Sequence, residues 1–408
     1  MAQLGSTTGD KTHARVAVVA AGVVSPLGFG LAETLESLRK AKDCVTPVKR
    51  FSVAECRCKT AGQVPDDRLA DLTRKLRAKR LHRASHMVIH ALKEAMTQQP
   101  QFEPEMTVIG TTSGGMSYGE HYYRSLRQSG SLRHAPTWIA NYPAQKPVID
   151  AQEAVFRSSV PCEVIANACA SGTNAIGHAF ECVRSGRYQR VLTGGYDALS
   201  ELVFTGFDSL QASTPEKCRP FDRNRAGMVL GEGAAVLALE NLELARQRGA
   251  PILAEIVGYG ISTDNFHITQ PDPSGVGARL AMERALLSAR ISPEDVDYIN
   301  AHGTATIFND AAEGRAIGAL FNGAPVSSTK SMMGHSLGAA GAIEAIVCLL
   351  ALEDQFLPPN INFGTLDDHL DLNIIANESR PAVVRTALSN SFGFGGTNAS
   401  ILMRTVGA

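Results

Sequence analysis

The 408-residue sequence predicts an α/β fold built from two duplicated halves, and three observations predict it. Short apolar runs alternate with stretches of helical periodicity along nearly the whole chain, the pattern of strands joined by crossover helices. That alternation pauses at a polar, Gln- and Arg-rich turn over 245–250 and then begins again. Residues 164–183 and 326–347 also echo each other, each running from a short strand through a turn into a Gly/Ala-rich helix with a following Glu.

The elements follow in order. Residues 1–13 are polar, lack the apolar core of a signal peptide and read as a disordered tail. The first half, 14–250, carries apolar, turn-bounded runs that predict strands over 16–19, 106–111, 162–165, 190–194 and 234–239. Helices are expected over 31–40, 86–96 and 172–185. In the second half, 251–408, the same reading gives a strand over 252–259, a helix over 277–289, a strand over 297–301, a helix over 310–321 and a strand over 325–328. No low-complexity linker separates the halves, so they are expected to share an extensive interface. The small residues of the two echoing helices allow close packing at a buried centre.

Composition narrows the function. With 39 Lys and Arg against 40 Asp and Glu, the net charge of -1 argues against a nucleic-acid or membrane-surface role for the molecule as a whole. No apolar run reaches the roughly 18 residues that a membrane span requires. The eight cysteines show no repeating framework, which fits a reducing, cytoplasmic compartment. Cys56-Arg57-Cys58 has no second pair or His-rich segment to complete a zinc pattern, so no metal is expected.

Cys169 stands out. It lies in Asn167-Ala168-Cys169-Ala170-Ser171-Gly172, between an apolar strand and the start of a helix. Unpaired amides and the helix dipole on such a turn would favour the thiolate. On this stretch alone a buried core cysteine is an equal reading. Two histidine motifs shift the balance. His302-Gly303-Thr304-Ala305-Thr306 follows an apolar strand, and Lys330 and His335 lie in a second strand-to-helix turn that runs on to Gly341. The glycine-rich stretch 390–398 lies between two strands. It lacks the Lys-Ser/Thr pair of a phosphate loop and reads better as a source of backbone N–H groups for an oxyanion.

On these motifs, from about Arg15 to Arg404, the chain resembles the β-ketoacyl-ACP synthases, condensing enzymes of the thiolase superfamily. Pro220-Phe221-Asp222-Arg223, Gly231-Glu232-Gly233 and 267–271 add to the likeness. The resemblance implies a thiolase-like five-layer α-β-α-β-α fold from two duplicated halves. It implies a decarboxylative condensation in which Cys169 takes the acyl chain, while His302 and His335 donate to the enolate formed from malonyl-ACP. Lys330 with Glu344 would fix the local charge and favour neutral histidines. The backbone of Cys169 and Phe392 would hold the oxyanion, and Phe392 would also gate the acyl pocket. Thr304 and Thr306 would hold the phosphopantetheine arm, which the carrier protein brings, so no bound cofactor is implied.

Departures from the family bear on specificity. Ile307-Phe308-Asn309-Asp310 stands where the family usually has Pro-x-Gly-Asp, and Asn-Asp there is similar to specialised polyketide and polyene ketosynthases. Met228 follows Arg225-Ala226-Gly227 in place of Arg-Asp-Gly-Phe, and Ser113 stands where elongating members often have a bulky apolar residue. Ser113, Met228 and Phe392 are therefore the expected acyl pocket. Arg74, Lys75, Arg77, Lys79, Arg80 and Arg83 form the densest basic run, expected to dock an acidic acyl carrier protein, with a plain solvated helix face as the alternative. The partner is expected to be a second copy or a chain-length-factor-like subunit. A biosynthetic thiolase fits less well, since that class uses a second cysteine as base. A non-catalytic chain-length partner would lack Cys169.

Overall fold

The computed structural model of the chain describes residues 13–74, 81–129, 135–156 and 160–407. Residues 1–12 of the expected tail lie outside them. The first half comprises β1 (Val16–Ser25), α1 (Arg83–Gln98), β2 (Met106–Gly110), α2 (Lys146–Phe156), β3 (Cys162–Ile165), α3 (Ser171–Arg184), β4 (Arg190–Asp197), α4 (Glu201–Ser209) and β5 (Gly233–Asn241). The second comprises β6 (Ala254–Thr263), α5 (Val276–Ala289), β7 (Tyr298–Asn300), α6 (Ile307–Leu320), β8 (Pro325–Ser327), α7 (Ala340–Asp354), β9 (Asn373–Ile374), β10 (Thr386–Gly393) and β11 (Thr397–Arg404).

The expected duplication is present in the strand order. One sheet runs β9-β8-β7-β10-β11-β6-β1-β5-β4-β2-β3, with Gly28–Phe29 added beside β1. Outward from the central β1/β6 pair, and leaving aside the two-residue edge strand β9, each half places its first, fifth, fourth, second and third strand in turn. The pairing senses match as well. The first-to-fifth and fifth-to-fourth pairs are antiparallel in both halves, and the two outer pairs are parallel. β1 and β6 meet only over Val16–Val18 and Ala254–Ile256. The sheet can therefore fold about that short seam.

Helices fill both sides. α1 covers the outer face of β1 and β5, and α5 covers β6 and β11. Between the two half-sheets lie α3 and α7, which touch each other while α3 packs on β4 and β2 and α7 on β10. Five layers result. α7 is the innermost helix, with every residue from Ala340 to Leu352 buried, and so it is apolar all round except at Glu344.

Two local readings differ from the sequence. The polar stretch expected to turn at 245–250 begins as a short helix, Leu242–Gln247, because the Asn241 Oδ1 accepts the Glu243 and Leu244 N–H groups at 3.0 and 3.3 Å. Helices α2, α4 and Met116–Ser129 were not expected at all. Among the described residues, no helix is long and apolar enough to cross a membrane.

Candidate active site

The parallel strands of both halves end toward one region, where loops of an α/β sheet commonly carry the chemistry. β3 leads to the turn that carries Cys169. Ala168 adopts φ +57°, a left-handed conformation costly for a residue with a Cβ, and Cys169 sits in the 3₁₀ turn that precedes α3. Hydroxyls hold this turn. Ser171 Oγ donates to the Ala168 carbonyl at 2.5 Å and accepts the Asn167 N–H at 2.9 Å, while Thr112 Oγ1 donates to the same carbonyl at 3.0 Å.

The state of the thiol corrects the sequence reading. Burial pushes the Cys169 thiol up to about 12, and Asp197 pushes the same way. Lys330 and the backbone N–H groups of Phe394 and Cys169 oppose this without prevailing. Desolvation of an enclosed sulfur outweighs the helix end, so the resting group is a thiol. The second amide at the sulfur also differs from expectation. It belongs to Phe394, in the hairpin between β10 and β11, and not to Phe392. Phe392 instead contributes its ring, 5.8 Å from that of His302. The Phe394 ring stacks on Phe207 of α4 at 5.5 Å.

β7 delivers His302. Glu313 on α6 accepts the His302 and Gly303 N–H groups, both at 2.8 Å, and the amides of Asn390 at 3.2 Å and Asn309 at 3.4 Å. Asp310 accepts the N–H groups of Phe221 at 2.8 Å and Ala305 at 3.2 Å, with Asn309 again donating at 3.1 Å. Burial nevertheless pushes Glu313 up to about 7. Asn309, the departure noted in the sequence, thus bridges the two carboxylates that shape the first histidine turn.

His335 follows a helical turn, Lys330–Met333, and a glycine at φ +75°. Its N–H donates to Val229 at 2.7 Å and its carbonyl accepts from Gly231 at 2.8 Å. The two imidazoles meet edge to face, 5.2 Å between centroids. His302 Nδ1 and both ring nitrogens of His335 are buried without a protein partner. Burial, reinforced by Lys330, holds both rings well below the usual histidine range, so they are neutral. Lys330 is itself fully enclosed and ion-paired with Glu344, whose carboxyl burial pushes up to about 7 against the pull of the lysine.

Cys169, His302 and His335 open onto one cavity of about 190 Å³, with Thr304, Thr306, Met228 and Phe392 in its wall. The two threonine hydroxyls bond each other at 2.9 Å. Ser113 does not line it. Its hydroxyl donates to Asp197 at 2.6 Å and its N–H to the same oxygen at 2.8 Å, which turns the side chain inward. Arg83 is likewise no surface docking residue, because it is buried in ion pairs with Glu232 and Asp66. Lys75, Arg77, Lys79 and Arg80 lie outside the described residues, as does the side chain of Arg74. Sequence reasoning missed Phe394 and Asp197. A carboxylate closing the apolar run of β4 was a legible sign of the second.

Comparison with known proteins agrees with this geometry. Residues 13–245 match the beta-ketoacyl synthase N-terminal domain and residues 253–364 the C-terminal domain of the same family. The chain belongs to the beta-ketoacyl synthase family. It is 37% identical to "3-oxoacyl-[acyl-carrier-protein] synthase 2" of Synechocystis sp. over 96% of this chain and 98% of the relative. The protein of that name from Staphylococcus aureus (strain COL) is also 37% identical, with the same coverage. Among solved structures, the ishigamide ketosynthase/chain length factor superposes with a TM-score of 0.91 at 32% identity, covering 97% of this chain and 100% of that one. A type II PKS acyl-carrier protein in complex with its ketosynthase gives 0.85 at 29% identity, covering 97% and 100%. The chain is accordingly a condensing enzyme, a β-ketoacyl-ACP synthase and thus an acyltransferase, of the kind used in fatty-acid and polyketide biosynthesis.

Proposed function

We propose that Cys169 carries the acyl chain and that His302 and His335 drive decarboxylation of malonyl-ACP in a specialised type II polyketide or polyene pathway. The observation that carries this reading is the shared cavity, into which a lone thiol and two neutral imidazoles with unpaired nitrogens open. Cys169 attacks the acyl thioester, and its proton passes to an imidazole and on to the departing carrier thiol. Malonyl thioester then loses carbon dioxide, and the electron pair left behind spreads onto the thioester oxygen, which accepts hydrogen bonds from the histidines. The carbanion attacks acyl-Cys169; the oxyanion forms beside the N–H groups of Cys169 and Phe394, and collapse breaks the C–S bond and expels the Cys169 thiolate, which takes a proton from water to restore the thiol. Burial, reinforced by the charge of Lys330, keeps the imidazoles neutral, so they donate without losing a proton.

Thr304 and Thr306 hold the pantetheine arm, and the basic run from Arg74 to Arg80 docks the acidic carrier. The enzyme works in the cytoplasm without a bound cofactor, as a homodimer or with a chain-length-factor-like subunit. The relatives solved with such a subunit or with a carrier protein support this assembly. Fatty-acid elongation is the second reading, favoured by the curated relatives.

The test separates the half-reactions. Cys169→Ala is expected to abolish condensation. Replacing His302 or His335 by Ala is expected to cut decarboxylation on the order of a hundredfold, with acylation of Cys169 affected less. Equal loss of both steps would refute the histidine roles, and mass spectrometry of acyl chains trapped on Cys169 separates the two pathways.

A further inference from the structure

Asp197, at the end of β4, is enclosed and has no cationic partner among the described residues. Five donors surround it. Oδ1 accepts the Thr111 hydroxyl at 3.0 Å and the N–H and hydroxyl of Ser113 at 2.8 and 2.6 Å. Oδ2 accepts two backbone N–H groups, Thr112 at 2.8 Å and Gly338 at 2.7 Å. Those two come from different halves of the molecule. Thr112 reaches on to the Ala168 carbonyl at 3.0 Å, directly before the nucleophile. Gly338 lies three residues after His335, in the turn that starts α7. The backbones touch here: a Cβ on Gly338 would stand 2.5 Å from the Thr112 nitrogen, and one on Gly172 2.6 Å from the Gly338 oxygen.

Building on the roles assigned to Cys169 and His335 above, we propose that Asp197 is a positioning residue that clamps the nucleophile turn to the second histidine turn and so sets the placement of Cys169 relative to His335. Asparagine cannot take over this task. Three of the five donors are backbone N–H groups, with at least one at each oxygen, so an amide NH₂ in either orientation faces a donor that cannot turn away. Acylation needs Cys169, the Cys169 and Phe394 amides and one imidazole to relay the thiol proton, and so depends less on the clamp. Decarboxylation and condensation need both turns in register.

The experiment measures the two half-reactions on the full-length enzyme with acyl-ACP and malonyl-ACP. In Asp197→Asn, decarboxylation and condensation are expected to fall roughly ten- to a hundredfold, while acyl-Cys169 formation stays within about threefold. Thr112→Val, which cuts only the link to Ala168, is expected to move the same ratio in the same direction, and it decides the matter if Asp197→Asn does not fold. A merely structural role would lower both steps in proportion to the folded fraction; that result, or no change in either variant, overturns the proposal. His335→Ala in the same assay reports separately on the functional reading, which fails if decarboxylation survives in that variant.

Discussion

The protonation of Cys169 gives the most direct test of the site. With its thiol pushed up to about 12 by burial, the thiolate at neutral pH is a fraction on the order of 10⁻⁵, against about 3% for free cysteine. Alkylation of Cys169 by iodoacetamide near pH 7 should therefore run roughly a thousandfold slower than that of free cysteine and climb about tenfold per pH unit up to at least pH 10. Both histidines lie well below their usual range, so no inflection is expected between about pH 6 and 8. Peptide mapping assigns the label to Cys169, and Cys169→Ala supplies the blank. A rate that levels off by about pH 8 and falls with an acid limb near 6 would refute the reasoning, since it would show a thiolate–imidazolium pair.

The same shifts fix how stability depends on pH. Above about 8.5 the unfolded chain loses the Cys169 proton while the native state keeps it, so stability declines as pH rises from there toward 12, by up to about 1.4 kcal/mol per unit for this group. Below about 6.5 the unfolded chain protonates His302 and His335 while the native state does not, so stability declines again as pH falls. Glu313 and Glu344, both pushed up to about 7 by burial, oppose the histidines, since the native state takes up their protons first as pH falls from about 7.

Three further predictions concern side chains around the site. Ser113→Phe removes a hydrogen bond from Asp197 and overfills an enclosed position, so it should cost roughly 1–3 kcal/mol in denaturant melts and depress turnover equally for short and long primers. Met228→Phe, in the cavity wall, should instead cut turnover of long acyl primers more than that of acetyl or butyryl ones; equal losses would remove Met228 from the acyl pocket. Glu344→Ala leaves Lys330 fully enclosed without its counter-charge, which should destabilise the protein by about 3–5 kcal/mol in the same melts. A loss below about 1 kcal/mol would show that the pair contributes little.

Much of this was legible in sequence because apolar periodicity reports burial, and burial made the strands. β2, β3 and β4 are short apolar runs with turns at their ends, and Cys169, His302 and His335 stand just past such runs, where a strand ends and chemistry is commonly carried. What sequence concealed is direction. Ser113 sits near the nucleophile turn, yet the sequence does not say that its hydroxyl turns toward a carboxylate 84 positions away. Arg83 reads as one of a row of surface cations, and only tertiary contact shows Glu232 waiting for it in the interior. The thiolate expectation failed for a related reason, since a helix end is local and visible whereas desolvation depends on what the rest of the chain places over the sulfur.

Duplication explains why the Cys169 and His335 turns meet. Cys169 stands two residues before α3 and His335 five residues before α7, and these helices are counterparts in the two halves that face each other at the centre. The close approach is reciprocal. Gly172, the second residue of α3, lies against the Gly338 carbonyl; Gly341, the second residue of α7, lies where a Cβ would stand 2.0 Å from the Thr173 hydroxyl. Each helix thus begins with a residue that has no side chain to keep the other away. That contact brings the Cys169 turn of one half against the His335 turn of the other, and the two turns then differ in what they carry. One turn ends on an enclosed thiol beside two amides. Its counterpart follows Lys330, whose charge is met by Glu344 one turn into α7, and burial, reinforced by that cation, keeps the neighbouring imidazoles neutral.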